Sequence, residues 1–147
     1  MHFHFLTRFA AVIVVIAACG CGQQPRAGEV PVFPITGTVT VDGKPVENIQ
    51  IALHSNGTEE SAKQLYPQGF TDAQGQIKVS TYAAGDGAPA GDYRVTFVLK
   101  DYNALARSFT GPNKIDASYA APETSPVTIT IGPDQPNDLG QLELPSN

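Results

Sequence analysis

The chain has 147 residues, with nine Lys and Arg against 14 Asp and Glu, two Cys, one Met and no Trp, a size that fits one ordinary domain rather than two cores. Its cations, among them Lys44, Lys78, Arg94, Lys100 and Arg107, are spaced singly among acids, so the dense basic cluster that a phosphate backbone requires is missing and nucleic acid is excluded as a partner. Abundant Gly, Pro, Thr and Val favour turns and strands over helices, because β-branched side chains lose rotamer freedom in a helix.

The opening MHFHFLTR supplies one cation, and residues 9–18 (FAAVIVVIAA) form an apolar run too short to cross a hydrocarbon core of roughly 30 Å as a free helix. This is the pattern of an export signal, residues 1–18. It ends Ile16, Ala17, Ala18, Cys19, which resembles the bacterial lipobox: an aliphatic residue, two small residues and a cysteine. By that resemblance cleavage falls between Ala18 and Cys19, and the Cys19 thiol carries a diacylglyceryl thioether. Cys21 is a rival acceptor, but the triplet before it, Ala18, Cys19, Gly20, lacks the large aliphatic residue. An uncleaved anchor or a disulfide between the two cysteines are the plainer alternatives; neither cysteine has another possible partner or metal ligand nearby in sequence. Several acyl chains hold a protein at a membrane far better than one, since each buried methylene adds about 0.8 kcal/mol. The expected partner is therefore membrane lipid through acylated Cys19. Gly20 offers no acidic retention signal, so delivery to the outer membrane of a bacterial cell envelope is favoured.

Residues 19–32 contain Gly, Pro and Gln without hydrophobic period and read as a tether. From residue 33 to the end the pattern is that of one β domain. Phe33, Ile35, Val39 and Val41 alternate with Thr36, Thr38 and Thr40, a half-buried strand. Asp42-Gly43 marks a tight reversal needing positive φ, and Pro45 falls where no ladder donor is wanted. Ile49, Ile51 and Leu53 give a second strand. A polar stretch follows in which Thr58 can cap one short helical turn. Residues 69–71 make a short strand, residues 72–75 (DAQG) a turn, and Ile77 with Val79 another strand. Residues 83–91 (AAGDGAPAG) suggest a crossover between two sheets. Tyr93, Val95, Phe97 and Leu99 then alternate with Arg94, Thr96, Val98 and Lys100. The long excursion of residues 101–125 admits a helical turn over residues 102–106; Val127, Ile129, Ile131 and finally Leu142 and Leu144 complete seven strands. The expected fold is an all-β, seven-stranded antiparallel sandwich whose sheets pack about 10 Å apart, with Pro34, Pro126 and Pro145 guarding strand ends.

The segments GTVTVDGKPVENIQIALH, GFTDAQGQIKVST and AGDGAPAGDYRVTFV resemble the carboxypeptidase regulatory-like, or transthyretin-like, domain over residues 35–99. The matching elements are Gly37, the D-G-x-P turn at residues 42–45, the T-D-x-x-G turn at residues 71–75 and the G-x-Y at residues 91–93. The resemblance implies an immunoglobulin-like or prealbumin-like sandwich and non-catalytic work, by packing against proteins or binding sugars. Hydroxyisourate hydrolases of the transthyretin-like branch end in Tyr-Arg-Gly-Ser; this chain ends LELPSN, which argues against that activity.

Chemistry-bearing constellations are sparse. His54 is the one histidine after the signal and lies opposite Ile51 and Leu53, and no G-x-S-x-G elbow marks a nucleophile. One His and an acylated Cys cannot make a zinc site. Asp42, Asp72, Asp86 and Asp92 sit in glycine-rich turns where calcium is conceivable, but their spacing matches no EF-hand loop and such residues ordinarily fix turn geometry. Glu59 and Glu60 read as solvating charges. No cofactor is implied and no enzyme is expected. Tyr66, Tyr82, Tyr102, Phe109 and Tyr119 lie in or beside loops: clustered on a concave surface they would make a carbohydrate or small-ligand site, whereas buried under the loops they would only cover the ends of the sandwich.

Overall fold

The computed structural model describes residues 28–56 and 65–147. The export signal, Cys19, Cys21, most of the tether, the turn expected at Thr58, and Glu59 and Glu60 lie outside the described residues.

Among the described residues twelve strands appear in chain order: β1 (Val32–Phe33), β2 (Thr36–Val41), β3 (Lys44–Pro45), β4 (Gln50–Ser55), β5 (Gln68–Thr71), β6 (Ile77–Ser80), β7 (Ala88–Pro89), β8 (Gly91–Val98), β9 (Asp101–Asn103), β10 (Ser108–Thr110), β11 (Thr128–Ile131) and β12 (Asp138–Leu144). A five-stranded sheet in the order β11-β8-β4-β5-β6 packs on a three-stranded sheet, β12-β2-β3, with β1-β7 and β9-β10 as separate two-stranded pairs. All seven expected strands are present; the additional five are two or three residues long. The all-β class holds, with a higher strand count.

Alternation explains the core. Ile51 and Leu53 of β4, Ile77 and Val79 of β6, Tyr93, Val95 and Phe97 of β8, and Ile129 and Ile131 of β11 face Val39 and Val41 of β2 and Leu144 of β12 in one buried cluster. Burial of aromatic and branched side chains on the inner faces of both sheets is the main favourable contribution to folding. Tyr93 is buried with its hydroxyl donating to the Pro89 carbonyl at 3.1 Å, so the polar atom of its side chain has a partner. Burial pushes its phenol up from the ordinary value.

Four features depart from the sequence reading. Pro34, which lacks a donor, splits the first strand, so that β1 pairs with β7 while β2 pairs with β3 and β12. The closing strand runs parallel to the first: residues 132–137 carry the chain from one sheet to the other and deliver it at the start of β2, where Asp138 lies opposite Thr36. Residues 83–91 connect β6 to β8, two strands of the same sheet, rather than crossing between sheets. The helical turn expected over residues 102–106 is replaced by the β9-β10 hairpin. There Asn103 Oδ1 accepts from the N–H groups of Leu105 and Ala106, each at 3.0 Å, and Arg107 takes a positive φ of 48°. A side-chain acceptor that competes for backbone donors disfavours helix.

The turns match their residues. Asp42 and Gly43 have φ of 49° and 75°, as a two-residue reversal with both central residues left-handed requires. Gly75 closes the 72–75 turn at φ 74°, and its carbonyl accepts from Val39 N–H at 2.8 Å, tying the β5-β6 turn to the opposite sheet; a Cβ there would sit 2.3 Å from the Val39 carbonyl oxygen. Only glycine meets both demands.

Candidate functional site

The inward residues of β5 are Gly69 and Thr71, leaving Gln68 and Phe70 to point outward. This choice is forced. A Cβ on Gly69 would lie 1.7 Å from the Lys78 carbonyl oxygen, and the Thr71 hydroxyl is engaged inside, donating to the Val46 carbonyl at 2.6 Å and accepting from Ile49 N–H at 3.0 Å. Phe70 is therefore left 41% exposed on the outer face. Register places it opposite Gln50 of β4 on one side and Lys78 of β6 on the other, and Gln50 opposite Val98 of β8.

The β9-β10 hairpin completes the surface. Tyr102 and Phe109 face each other across the hairpin with ring centroids 5.3 Å apart, and Phe109 stacks on Phe70 at 5.6 Å and 17°. Lys114 pairs with Asp101 at the base of the hairpin, and Asn113 Oδ1 accepts from Leu99 N–H at 2.9 Å and Ile115 N–H at 3.2 Å, fixing the chain that follows it. Beside Phe70 lies an open groove of about 630 Å³ lined by Glu47, Gln50, Gln68, Gly69, Phe70, Thr71, Asp72, Lys78 and Ser80. Lys78 Nζ is 3.2 Å from Asp72 Oδ2. Asp72 also accepts from Gln74 and Gln76 N–H at 3.0 Å each, and the Gln76 N–H foremost holds its carboxyl below the usual range despite the opposing effect of burial. The groove therefore offers one ring, two carboxamides and nearly balanced charge.

The sequence-predicted aromatics are divided. Tyr102, 54% exposed, and Phe109 join this surface. Tyr66, 77% exposed, precedes β5. Tyr119 is half-buried and packs edge-on against Phe97 at 6.5 Å, a cover for the core. Tyr82 lies in the connection after β6, where its hydroxyl accepts from Val30 N–H at 3.3 Å. Phe70, Gln50 and Gln68 were not singled out from the sequence. An outward Phe between a Gly and a Thr inverts the usual pattern, and the close approach of Lys78 that causes it is a tertiary contact.

The four turn aspartates do not converge. Asp42 accepts from Ser146 N–H at 3.1 Å, Asp92 from the Thr130 hydroxyl at 2.6 Å, and Asp72 within its own turn. Asp86 accepts from Thr81, Tyr82 and Ala83 N–H at 2.7, 2.9 and 2.8 Å; burial pulls its carboxyl upward, and these donors reverse the effect and leave it below the ordinary value. Among the described residues no three His, Cys, Asp or Glu side chains form a metal-holding group. His54 Nε2 lies 3.0 Å from Thr96 Oγ1. Thr96 is buried, and Arg94 Nη1 donates to the Ser125 carbonyl at 2.8 Å. The Ser125 hydroxyl is itself buried and given to the Val95 carbonyl, so it serves packing rather than attack.

No family model and no curated protein matches the chain. Among solved structures, a 9R-lipoxygenase from Cyanothece PCC8801 aligns over 84% of this chain and 18% of its own length at 16% identity, with a TM-score of 0.41. An (S)-allantoin synthase aligns over 78% of this chain and 41% of its own, at 20% identity and a TM-score of 0.28. The chain spans less than half of either protein, and both likenesses are too loose to inform function. Among the described residues no helix is long and apolar enough to cross a membrane.

Proposed function

We propose that this chain is a lipid-anchored protein of the bacterial cell envelope whose β-sandwich works without catalysis, by contact. The observation that carries the reading is the run FAAVIVVIAAC, an apolar segment of signal length that ends in a lipobox-like triplet and Cys19. The resemblance to carboxypeptidase regulatory-like domains supports a binding or supporting role. The Asp carboxylates in the turns are occupied by backbone and hydroxyl donors, whereas the outward rings of Phe70 and Tyr102 remain available. A protein with this organisation acts through its position at a membrane surface and through the face it presents there.

Expression with radiolabelled palmitate tests the anchor. The wild type is expected to incorporate label and sediment with membranes; Cys19→Ala is expected to lose label and remain unprocessed, whereas Cys21→Ala behaves as wild type. Label retained by the Cys19→Ala form, or an unmodified N-terminus on cytosolic protein, refutes the assignment.

A further inference from the structure

The groove beside Phe70 combines three properties. First, the side chains of Glu47, Gln50 and Gln68 line it without making a hydrogen bond to any described residue, although Gln50 is half-buried between Phe70 and Val98. Its amide atoms are open to solvent and so are free to donate to and accept from a ligand. Second, an aromatic surface runs from the groove through Phe70 and Phe109 to Tyr102. Third, Lys78 is neutralised by Asp72, and Glu47 adds a carboxylate, so nothing in the groove favours an anion.

We infer that this groove binds a neutral oligosaccharide, with Phe70 as the stacking platform and Gln50, Gln68 and Glu47 as hydroxyl partners. A pyranose has an apolar C–H face that suits an aromatic ring and a rim of hydroxyls that each donate and accept, the needs of carboxamides and a carboxylate. An anionic polymer would meet the Glu47 carboxylate. A protein partner fits less well, because the buried centre of a protein interface is depleted of charge and a stable one covers about 800 Å² on each side, whereas these rings are edged by Glu47, Asp72 and Lys78.

Full-length protein in detergent, titrated calorimetrically with cellotetraose, maltotetraose and chitotetraose, tests the assignment. At least one is expected to bind, and Phe70→Ala and Gln50→Leu are each expected to weaken that affinity at least about tenfold, the equivalent of one good contact. Asp134→Ala, in the exposed connection between β11 and β12, is expected to leave it unchanged, and thermal melting confirms that each variant is folded; Gln50→Leu, which keeps the side chain's bulk, decides the matter should Phe70→Ala unfold. Failure of all three sugars to bind overturns the inference, as does binding indifferent to Gln50→Leu. Retention of an envelope protein through Phe70 in the absence of sugar binding overturns it in favour of a protein partner. The Cys19→Ala protein is expected to bind sugar as the wild type does, so loss of the anchor reading and loss of the sugar reading register separately.

Discussion

The connections on either side of β8 are both irregular, yet residues 81–90 direct their polar groups into their own backbone while residues 101–110 direct rings toward solvent. In the first, Asp86 gathers three N–H groups, the Thr81 hydroxyl donates to the Gly87 carbonyl at 2.6 Å, and Ala88 and Pro89 are buried against β1. In the second, Tyr102 and Leu105 are exposed, and the hairpin touches the sheet through Phe109 on Phe70. Glycine-rich turns with internally saturated carboxylates mark scaffold; exposed rings beside unpaired carboxamides mark a surface available for recognition. Substitutions at the two poles should therefore differ in kind: those near the tether cost stability, and those near the hairpin cost binding.

The largest effect is expected at Gly87. Its φ is +90°, and a Cβ would lie 1.8 Å from the Phe33 carbonyl oxygen, so Gly87→Ala must either strain this turn or detach β1. A loss of about 3 kcal/mol is expected, measured by chemical denaturation of the purified protein, with enhanced proteolysis near Val32. Retention of wild-type stability would mean that the β1-β7 pair contributes nothing to the fold.

Next in size is Asp86. Replacing it with Ala leaves three backbone donors without their charged acceptor and is expected to cost about 2 kcal/mol. Its folded carboxyl lies below the ordinary value, so its contribution is fully present above the unfolded carboxylate range, near pH 4, and is lost as pH falls through the lower folded value. The stability difference between wild type and Asp86→Ala should accordingly be constant from about pH 5 to 7 and shrink below about pH 4. A difference that grows on acidification would assign the wrong charge state. Tyr93→Phe follows at about 1 kcal/mol, since it removes the hydroxyl's bond to the Pro89 carbonyl without opening a cavity.

The contrast also explains what the sequence could disclose. Alternation exposed the core because Tyr93, Val95 and Phe97, or Ile51 and Leu53, have a period that only one face of a strand can satisfy. Turn residues were equally legible where one backbone conformation dictates one residue type, as at Asp42-Gly43 and Gly75. Pairing was less so. That β12 lies parallel to β2, and that β7 pairs back to β1, depends on the path of loops rather than on local period. The candidate site was legible only in fragments: Tyr102 and Phe109 stood out as loop aromatics, but their partner Phe70 is turned outward by the approach of the Lys78 backbone to Gly69, a contact between strands that no single segment encodes. Gln50 was hidden for a related reason, since an outward Gln on a strand ordinarily faces water, and it is the flanking Phe70 and Val98 that half-bury it.

The smallest effect on stability is expected at Tyr102, and it is the most discriminating. Its ring is 54% exposed, and its aromatic neighbour is Phe109 across the hairpin, so Tyr102→Ala should change stability by no more than about 0.5 kcal/mol. Removing the ring frees one side of Phe109, whose other contact is the stack on Phe70. If the three rings form a continuous recognition surface, oligosaccharide affinity should fall severalfold while the melting temperature stays within a few degrees. If instead the rings exist to clamp the hairpin onto the sheet, stability should fall and amide exchange in β9 and β10 should accelerate, with the affinity of the folded protein untouched. The two outcomes move different observables, so this one substitution decides whether the exposed pole is a binding surface or merely a second piece of scaffold.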